Sequence, residues 1–527
     1  MTQYPWKFFG SALLAAWSID FLFWGKSAGI SLPIWFVIAI GAGVFLALTE
    51  KRRLSFPAWL LIGGVLLLAA VPFFRVEPFT RLAALTGALL GLMLLTDTLL
   101  NGWWPQYRLR DYFFGFFRLI WAAISRPFSL FKTDTPPLPP SKEKGTRSSI
   151  LPIFRGVLLA LPVVAVLAAL LASADPIFND QVQQFFSIFK LDNFTEYLFR
   201  FIYILVFAYI FLGVFLHAVN PDRPLQQPDP RQPWFTPFLG FTEGAIILSA
   251  VTLLFTAFVI IQFRYFFGGQ VNITTVGYTY AEYARRGFGE LVAVAVLTLL
   301  LYLGLASITR MVQPRQRWGF AALSTALVAL VLVILVSALR RMLLYENAYG
   351  FTQLRTYTHV FILALAALLI ATILMELLNQ RGRFALTLLI ICFGFCLALA
   401  VVNIDGFIAH QNLARARQGE NLDAAYLKSL SVDAVPALIQ EYAASQPTDS
   451  VYQPLGIELA CRAANLSQQS PRAWQSFQLS ELSAARLLKQ NAPSWAQFPT
   501  HLDTAGGWQV TANGVEQPCV VIPGTNG

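Results

Sequence analysis

Tyr278-Thr279-Tyr280-Ala281-Glu282-Tyr283-Ala284-Arg285-Arg286-Gly287-Phe288-Gly289-Glu290 runs straight into Leu291-Val292-Ala293-Val294-Ala295-Val296-Leu297-Thr298-Leu299-Leu300. The first half is the densest cluster of charge and phenol in the chain, and the second half is almost pure hydrocarbon. On a helix, Glu282, Arg286 and Glu290 fall four apart and share one face. That stripe enters an apolar segment of membrane-spanning character, where ionisable groups are costly and tend to mark function.

The same oily texture extends in both directions. Of 527 residues, 56% are hydrophobic and only 13% charged, against about 25% charged in an ordinary soluble domain. Mean hydropathy is +0.59, and runs of about 20 apolar residues recur to about residue 402, the signature of transmembrane helices. The expectation is an all-α polytopic membrane protein whose first partner is the lipid bilayer. The net charge of +10 does not point to nucleic acid, because Lys and Arg lie between the spans and act as topology determinants.

Eleven spans are expected, at about 8–24, 30–48, 58–74, 82–100, 150–173, 197–219, 238–262, 288–308, 319–339, 357–378 and 384–402. The first is short and carries Asp20; it lacks a small-residue cleavage site and reads as a span rather than a signal peptide. Phe113–Ile124 is apolar but bracketed and interrupted by Arg110, Asp111, Arg118 and Arg126. It reads as an interfacial amphipathic helix, with Trp103, Trp104 and Trp121 at headgroup depth. The division is then a four-span region with that helix at 1–132, a Pro/Lys-rich cytoplasmic linker at 133–149, a seven-span core at 150–402 and a soluble, mainly helical domain at 403–527.

Basic residues cluster on one side: Lys7, Lys51-Arg52-Arg53, the 101–149 connection, Arg223, Arg231, Arg310, Arg315, Arg317, Arg381 and Arg383. By the positive-inside rule that side is cytoplasmic, so the N-terminus is inside and the C-terminal domain outside. Most outer charges fall in two loops, 263–287 and 340–356, against the rule.

In the tail, helices are expected over Asn403–Gln418, Leu422–Leu430, Ala434–Tyr442, Leu455–Leu466 and from Ser470-Pro471 to about Lys489. Ser431 and Asp433 offer N-caps and Pro436 sits in a first turn. Asn513-Gly514 between Trp508–Thr511 and Val515–Gln517 signals a small hairpin. Cys461 and Cys519 both fall in the domain placed outside, where a disulfide is permitted, and they are read as a pair.

Two polar clusters are the site candidates. Tyr280, Glu282, Tyr283, Arg285, Arg286 and Glu290 form the first; Arg340, Arg341, Glu346 and Arg355, with Tyr345, Asn347, Tyr349, Tyr357 and His359, form the second. If they meet at the outer face, the arginines bind an anion or a partner and the tyrosines supply hydroxyls and stacking faces. The plainer reading is an aromatic interface belt with internal salt bridges. Glu376 reads as a snorkelling end residue and Glu243 as a first-turn carboxylate. Cys392 and Cys396 share a helix face with no third ligand, so no metal and no cofactor are expected. No HExxH, P-loop, paired CxxC or GxSxG is present.

Gly277-Tyr-Thr-Tyr-Ala-Glu-Tyr-Ala-Arg-Arg-Gly-Phe-Gly-Glu-Leu, Asn403-Ile-Asp-Gly-Phe-Ile-Ala, Asn412-Leu-Ala-Arg415 and Leu430-Ser431 with Asp433-Ala-Val-Pro436-Ala-Leu438 resemble a bacterial membrane family, domain of unknown function 4173, to which the 4153 group is related. The resemblance covers roughly 150–440. It implies a polytopic bacterial envelope protein and carries no catalytic residues. The leading expectation is a non-enzymatic sensor or assembly component of the bacterial cytoplasmic membrane, with an envelope protein or anionic ligand as partner. The alternatives are a secondary transporter of a small polar or anionic solute, and a membrane enzyme acting on lipid-linked substrates.

Overall fold

The computed structural model describes residues 4–129, parts of 164–174, and 175–187, 194–219, 237–267, 288–467, 472–503 and 507–519. The expected linker at 133–149 and most of the expected span at 150–173 lie outside them. The first twelve helices are α1 (Pro5–Phe23), α2 (Ser31–Thr49), α3 (Phe56–Phe74), α4 (Pro78–Thr98), α5 (Leu109–Ser129), α6 (Pro176–Ser187), α7 (Phe194–Val219), α8 (Phe241–Phe267), α9 (Phe288–Ile308), α10 (Pro314–Tyr349), α11 (Gln353–Leu377) and α12 (Phe384–Val402). Among the described residues nine helices, α2–α4 and α7–α12, are long and apolar enough to cross a membrane. The protein is an all-α polytopic membrane protein.

Proline sits in the first turn of α1, α3, α4 and α10, where its missing N–H costs nothing. α10 departs from expectation. It has 36 residues where 319–339 was read as the span. At 1.5 Å per residue it is about 54 Å long, well beyond a bilayer core of about 30 Å. No glycine or proline interrupts Arg340–Tyr349, so most of the stretch read as an outer loop stays helical. Gly350, at φ +80°, ends it.

The chain forms two compact units: residues 1–25, 37–54 and 116–224, and residues 26–36, 55–115 and 225–527. In the first, α1 packs along α7. Asp20, which weakens α1 as a span on sequence grounds, is 5% exposed. The Arg200 guanidinium meets it two-pronged, at 2.8 and 2.6 Å, and the Tyr203 hydroxyl donates to it. A buried carboxylate needs such partners to remain charged. In the same unit, Arg126 of α5 donates to Leu216 O at 3.0 Å, and Tyr209 to Ile124 O at 2.6 Å. Phe113, Phe114, Phe116, Phe117 and Trp121 of α5 are exposed, giving the helix an apolar outer face.

In the second unit α3 and α4 form an antiparallel hairpin against α12, and α8–α11 pack around Leu248, Leu299, Phe320, Val331 and Leu369. Glu376 does not snorkel. It is 5% exposed, and it accepts hydrogen bonds from Tyr302 at 2.6 Å and from Arg381. Glu243 accepts from the Gly240 N–H at 2.7 Å, a first-turn role.

After α12 the chain turns at Asn403, φ +51°, into a C-terminal region of α13 (Ile404–Arg417), α14 (Ala424–Ser429), α15 (Val435–Ala444), α16 (Tyr452–Ser467) and α17 (Leu479–Gln490), with strands β1 (Thr500–Leu502), β2 (Trp508–Ala512) and β3 (Val515–Pro518). Its core is Ile408, Leu413, Leu430, Leu438, Leu455, Leu459 and Val510. Arg462, 1% exposed, is neutralised by Glu458 and donates to the carbonyls of Leu427, Leu430 and Ser431. Asn513 and Gly514, both at positive φ, make the β2–β3 turn. A disulfide joins Cys461 to Cys519.

Three details of the tail correct the sequence reading. The last helix begins at Leu479, after a short turn at Trp474–Ser476, and β1 adds a third strand. Asp433 does not cap α15; its carboxylate is engaged far away in the sequence, as described below.

Candidate functional site

Tyr280, Glu282, Tyr283, Arg285 and Arg286 lie outside the described residues. Glu290 is exposed in the first turn of α9. Of the second cluster, Arg340 is exposed on α10, and Arg341, Glu346 and Arg355 follow toward and just beyond the α10–α11 turn.

Glu346 is where the sequence pattern and its chemistry conflict. Leu335, Ala338, Met342 and Glu346 follow one buried helix face, so a carboxylate takes a core position at the end of an apolar stripe. Glu346 is 0% exposed, and neither of its oxygens receives a hydrogen bond. The His359 imidazole, from the second turn of α11, has its Nε2 3.3 Å from Oε2, without hydrogen-bond geometry. Arg355 lies over the Tyr345 ring at 4.1 Å and donates to Gly350 O rather than to Glu346. Thus Glu346, His359, Arg355 and Tyr345 are gathered at one turn, whereas Arg340 remains apart on the surface.

The C-terminal region grips this turn. Asn412 of α13 accepts from the Phe351 N–H at 2.7 Å and donates to Phe351 O at 2.9 Å. Arg415, one helical turn on, donates to Asn347 O at 2.6 Å. The Gln353 N–H donates to the Tyr426 hydroxyl, and the Gln353 amide to Asp405, each at 2.7 Å. Gly350 is required here: a Cβ would come within 3.0 Å of both Arg415 and Asn412, at a φ that side chains avoid.

A second grip lies on the α3–α4 turn. Asp433 accepts from the N–H groups of Val76 at 2.8 Å and Glu77 at 3.0 Å, and from the Ser480 hydroxyl. Glu77 caps α4 by accepting from Phe79 and Thr80, and it also receives the Tyr357 hydroxyl. Arg75 donates to Ala400 O at 2.7 Å. Glu77, Asp405 and Asp433 are 3%, 0% and 2% exposed, and each is surrounded by donors. Burial pushes the Asp405 carboxyl above its ordinary value, opposed by donors from Ser431 and Gln353 and assisted by the charge of Glu77. Burial likewise raises the Tyr426 hydroxyl.

These acids are structural acceptors, and no group of three or more His, Cys, Asp or Glu among the described residues is arranged to hold a metal. Sequence reading passed over Glu77, Asp405 and Asp433 as a group. The available signal was that Asp405 and Asp433 fall inside the stretches that carry the family resemblance.

Such an arrangement defines a class: a multi-span helical membrane protein whose C-terminal region, after α12, is hydrogen-bonded to the α3–α4 and α10–α11 turns. The family model described as a domain of unknown function, DUF4153, matches residues 62–441, and the chain belongs to that family. The match is to this group rather than to its relative 4173, and it contains every junction residue named above except Ser480. No curated protein and no solved structure matches the chain.

Proposed function

We propose that the protein is a non-enzymatic sensor or assembly component of the bacterial cytoplasmic membrane, its soluble domain outside, reading the state of the α10–α11 turn. The observation that carries this reading is the position of Glu346. It is a fully buried carboxylate with no hydrogen bond, beneath a turn whose Phe351 N–H and C=O are both held by Asn412. An unsatisfied buried carboxylate is held at a cost, which a bound partner or anion pulling on Arg355 would change. Movement of the turn then passes directly to α13.

Two features support the outer placement: the clustering of Lys and Arg at the opposite ends of the spans, and a disulfide that requires an oxidising compartment. A photo-crosslinking residue in place of Tyr349, which is 56% exposed, tests the reading in intact cells. A discrete protein adduct that disappears on Arg355→Ala supports it, and lipid adducts alone count against it. The buried acid near the end of a span also favours the transporter reading. Solute flux that stops on Glu346→Gln, with no adduct at position 349, would favour transport.

A further inference from the structure

We infer that the edge of the soluble domain formed by residues 474–489 docks on the phospholipid surface beside the spans, as a second membrane contact. Trp474, Phe477, Leu479 and Leu482 are 55%, 37%, 37% and 40% exposed. These four exposed apolar side chains, within nine residues of chain, form a rim on a domain whose other large side chains mostly face its core. A monomeric soluble domain rarely leaves such a rim uncovered.

What identifies lipid as the occupant is the height at which the rim is fixed. The Ile30 N–H donates to Phe477 O at 2.9 Å, and the Gln478 amide donates to Ala28 O at 2.8 Å. Both acceptor and donor belong to the turn that leads into α2. The approach is close: a Cβ on Gly29 would stand 2.5 Å from Phe477 O. The Phe477 ring also lies 5.8 Å from that of Phe73, in the last turn of α3. A 19-residue helix such as α3 spans about 28 Å, so its last turn falls at the edge of the hydrocarbon. The start of α17 is therefore held at the bilayer interface.

The pattern along α17 continues the argument. Leu479, Leu482, Arg486 and Lys489 are exposed and follow the i, i+3, i+7, i+10 spacing of one helix face. The two leucines are at the end pinned to the spans. The two cations come one to three turns further along, where headgroup phosphates would meet them. Glu481 is occupied by Arg472 at 2.8 Å and does not oppose this charge. An aromatic and aliphatic edge followed by cations is the chemistry of an interfacial anchor.

The test uses the full chain in phospholipid nanodiscs, with Cys392→Ser and Cys396→Ser removing the free thiols. A nitroxide is placed by Leu482→Cys, with Val515→Cys, at the exposed hairpin, as the aqueous reference. The label at 482 is expected to collide several-fold more with oxygen than with a water-soluble nickel chelate, and the label at 515 the reverse. Should Leu482→Cys fail to fold, Leu479→Cys reads the same rim. Nickel-dominated collision at the rim would overturn the inference. So would shielding from both reagents, because protein would then cover this face.

Discussion

The backbone N–H of Val76 and the carboxylate of Asp433 are 357 residues apart in the chain and 2.8 Å apart in space. A turn between two spans is thereby satisfied by a side chain from the C-terminal region. The same carboxylate takes the Glu77 N–H and the Ser480 hydroxyl, so one residue joins three segments. Asp433→Ala leaves the buried Glu77 N–H unpaired, at about 1–3 kcal/mol, and the part-buried Val76 N–H and Ser480 hydroxyl at a smaller cost. Amide exchange at Val76 and Glu77 is expected to accelerate at least tenfold, with a smaller effect for Asp433→Asn. Unchanged exchange would mean that the junction is held elsewhere.

Asn412→Ala removes both hydrogen bonds to the Phe351 backbone. Since those groups are only part-buried, the cost is about 1–2 kcal/mol. Limited proteolysis of membranes is expected to cut the 350–353 turn faster in this variant while leaving β2–β3 protected. Equal acceleration at both places would point to general unfolding of the domain.

Asp405 gives the junction a pH dependence whose sign can be worked out. Its carboxyl is raised above 3.8 in the folded protein by burial, so the folded state binds more protons than the unfolded state between 3.8 and that raised value. Its contribution to stability therefore falls as pH rises through the window and is most favourable below it. In melting curves of the full chain, the difference between wild type and Asp405→Asn should grow less favourable to wild type from pH 4 upward. A difference that does not vary with pH would dismiss this assignment.

The Cys461–Cys519 bridge closes 58 residues of sequence, and removing it is expected to cost about 2–4 kcal/mol. Cys461→Ala with Cys519→Ala should lower the melting temperature of the soluble domain, monitored through Trp495 and Trp508. The same thiols locate the domain. Labelling from outside intact cells only after reduction agrees with an outer placement, and labelling only after lysis opposes it.

Arg200→Ala strands the buried Asp20 of α1, at about 3–5 kcal/mol. Adding Asp20→Ala should recover part of the lost folded yield in detergent. If the double variant is no better than Arg200→Ala, the pair is not what holds α1 to α7.

Nine of the eleven expected spans have a counterpart among the described residues, because a bilayer demands about 20 apolar residues in a row whatever their neighbours are. The expected first span, α1 with its Asp20, is not among the nine, and most of 150–173 lies outside the described residues. Boundaries failed where that demand ends. α10 runs past the hydrocarbon because nothing in Arg340–Tyr349 breaks a helix, and hydropathy alone stops too soon. In the tail, Asn513-Gly514 was readable because positive φ is a local property of those residues. The start of α17 was misplaced because Ser470-Pro471 has the chemistry of a helix start, whereas the helix begins at Leu479.

The sequence by itself determined that the chain is a polytopic helical membrane protein, since composition and run length are properties of the chain alone. Only the tertiary structure decided that Asp433 serves the α3–α4 turn instead of its own helix. It also decided that Asp20 lies against Arg200 and that Glu346 is buried against His359. A hydrogen bond or ion pair depends on which surfaces meet, and residues hundreds of positions apart carry no local sign that they will.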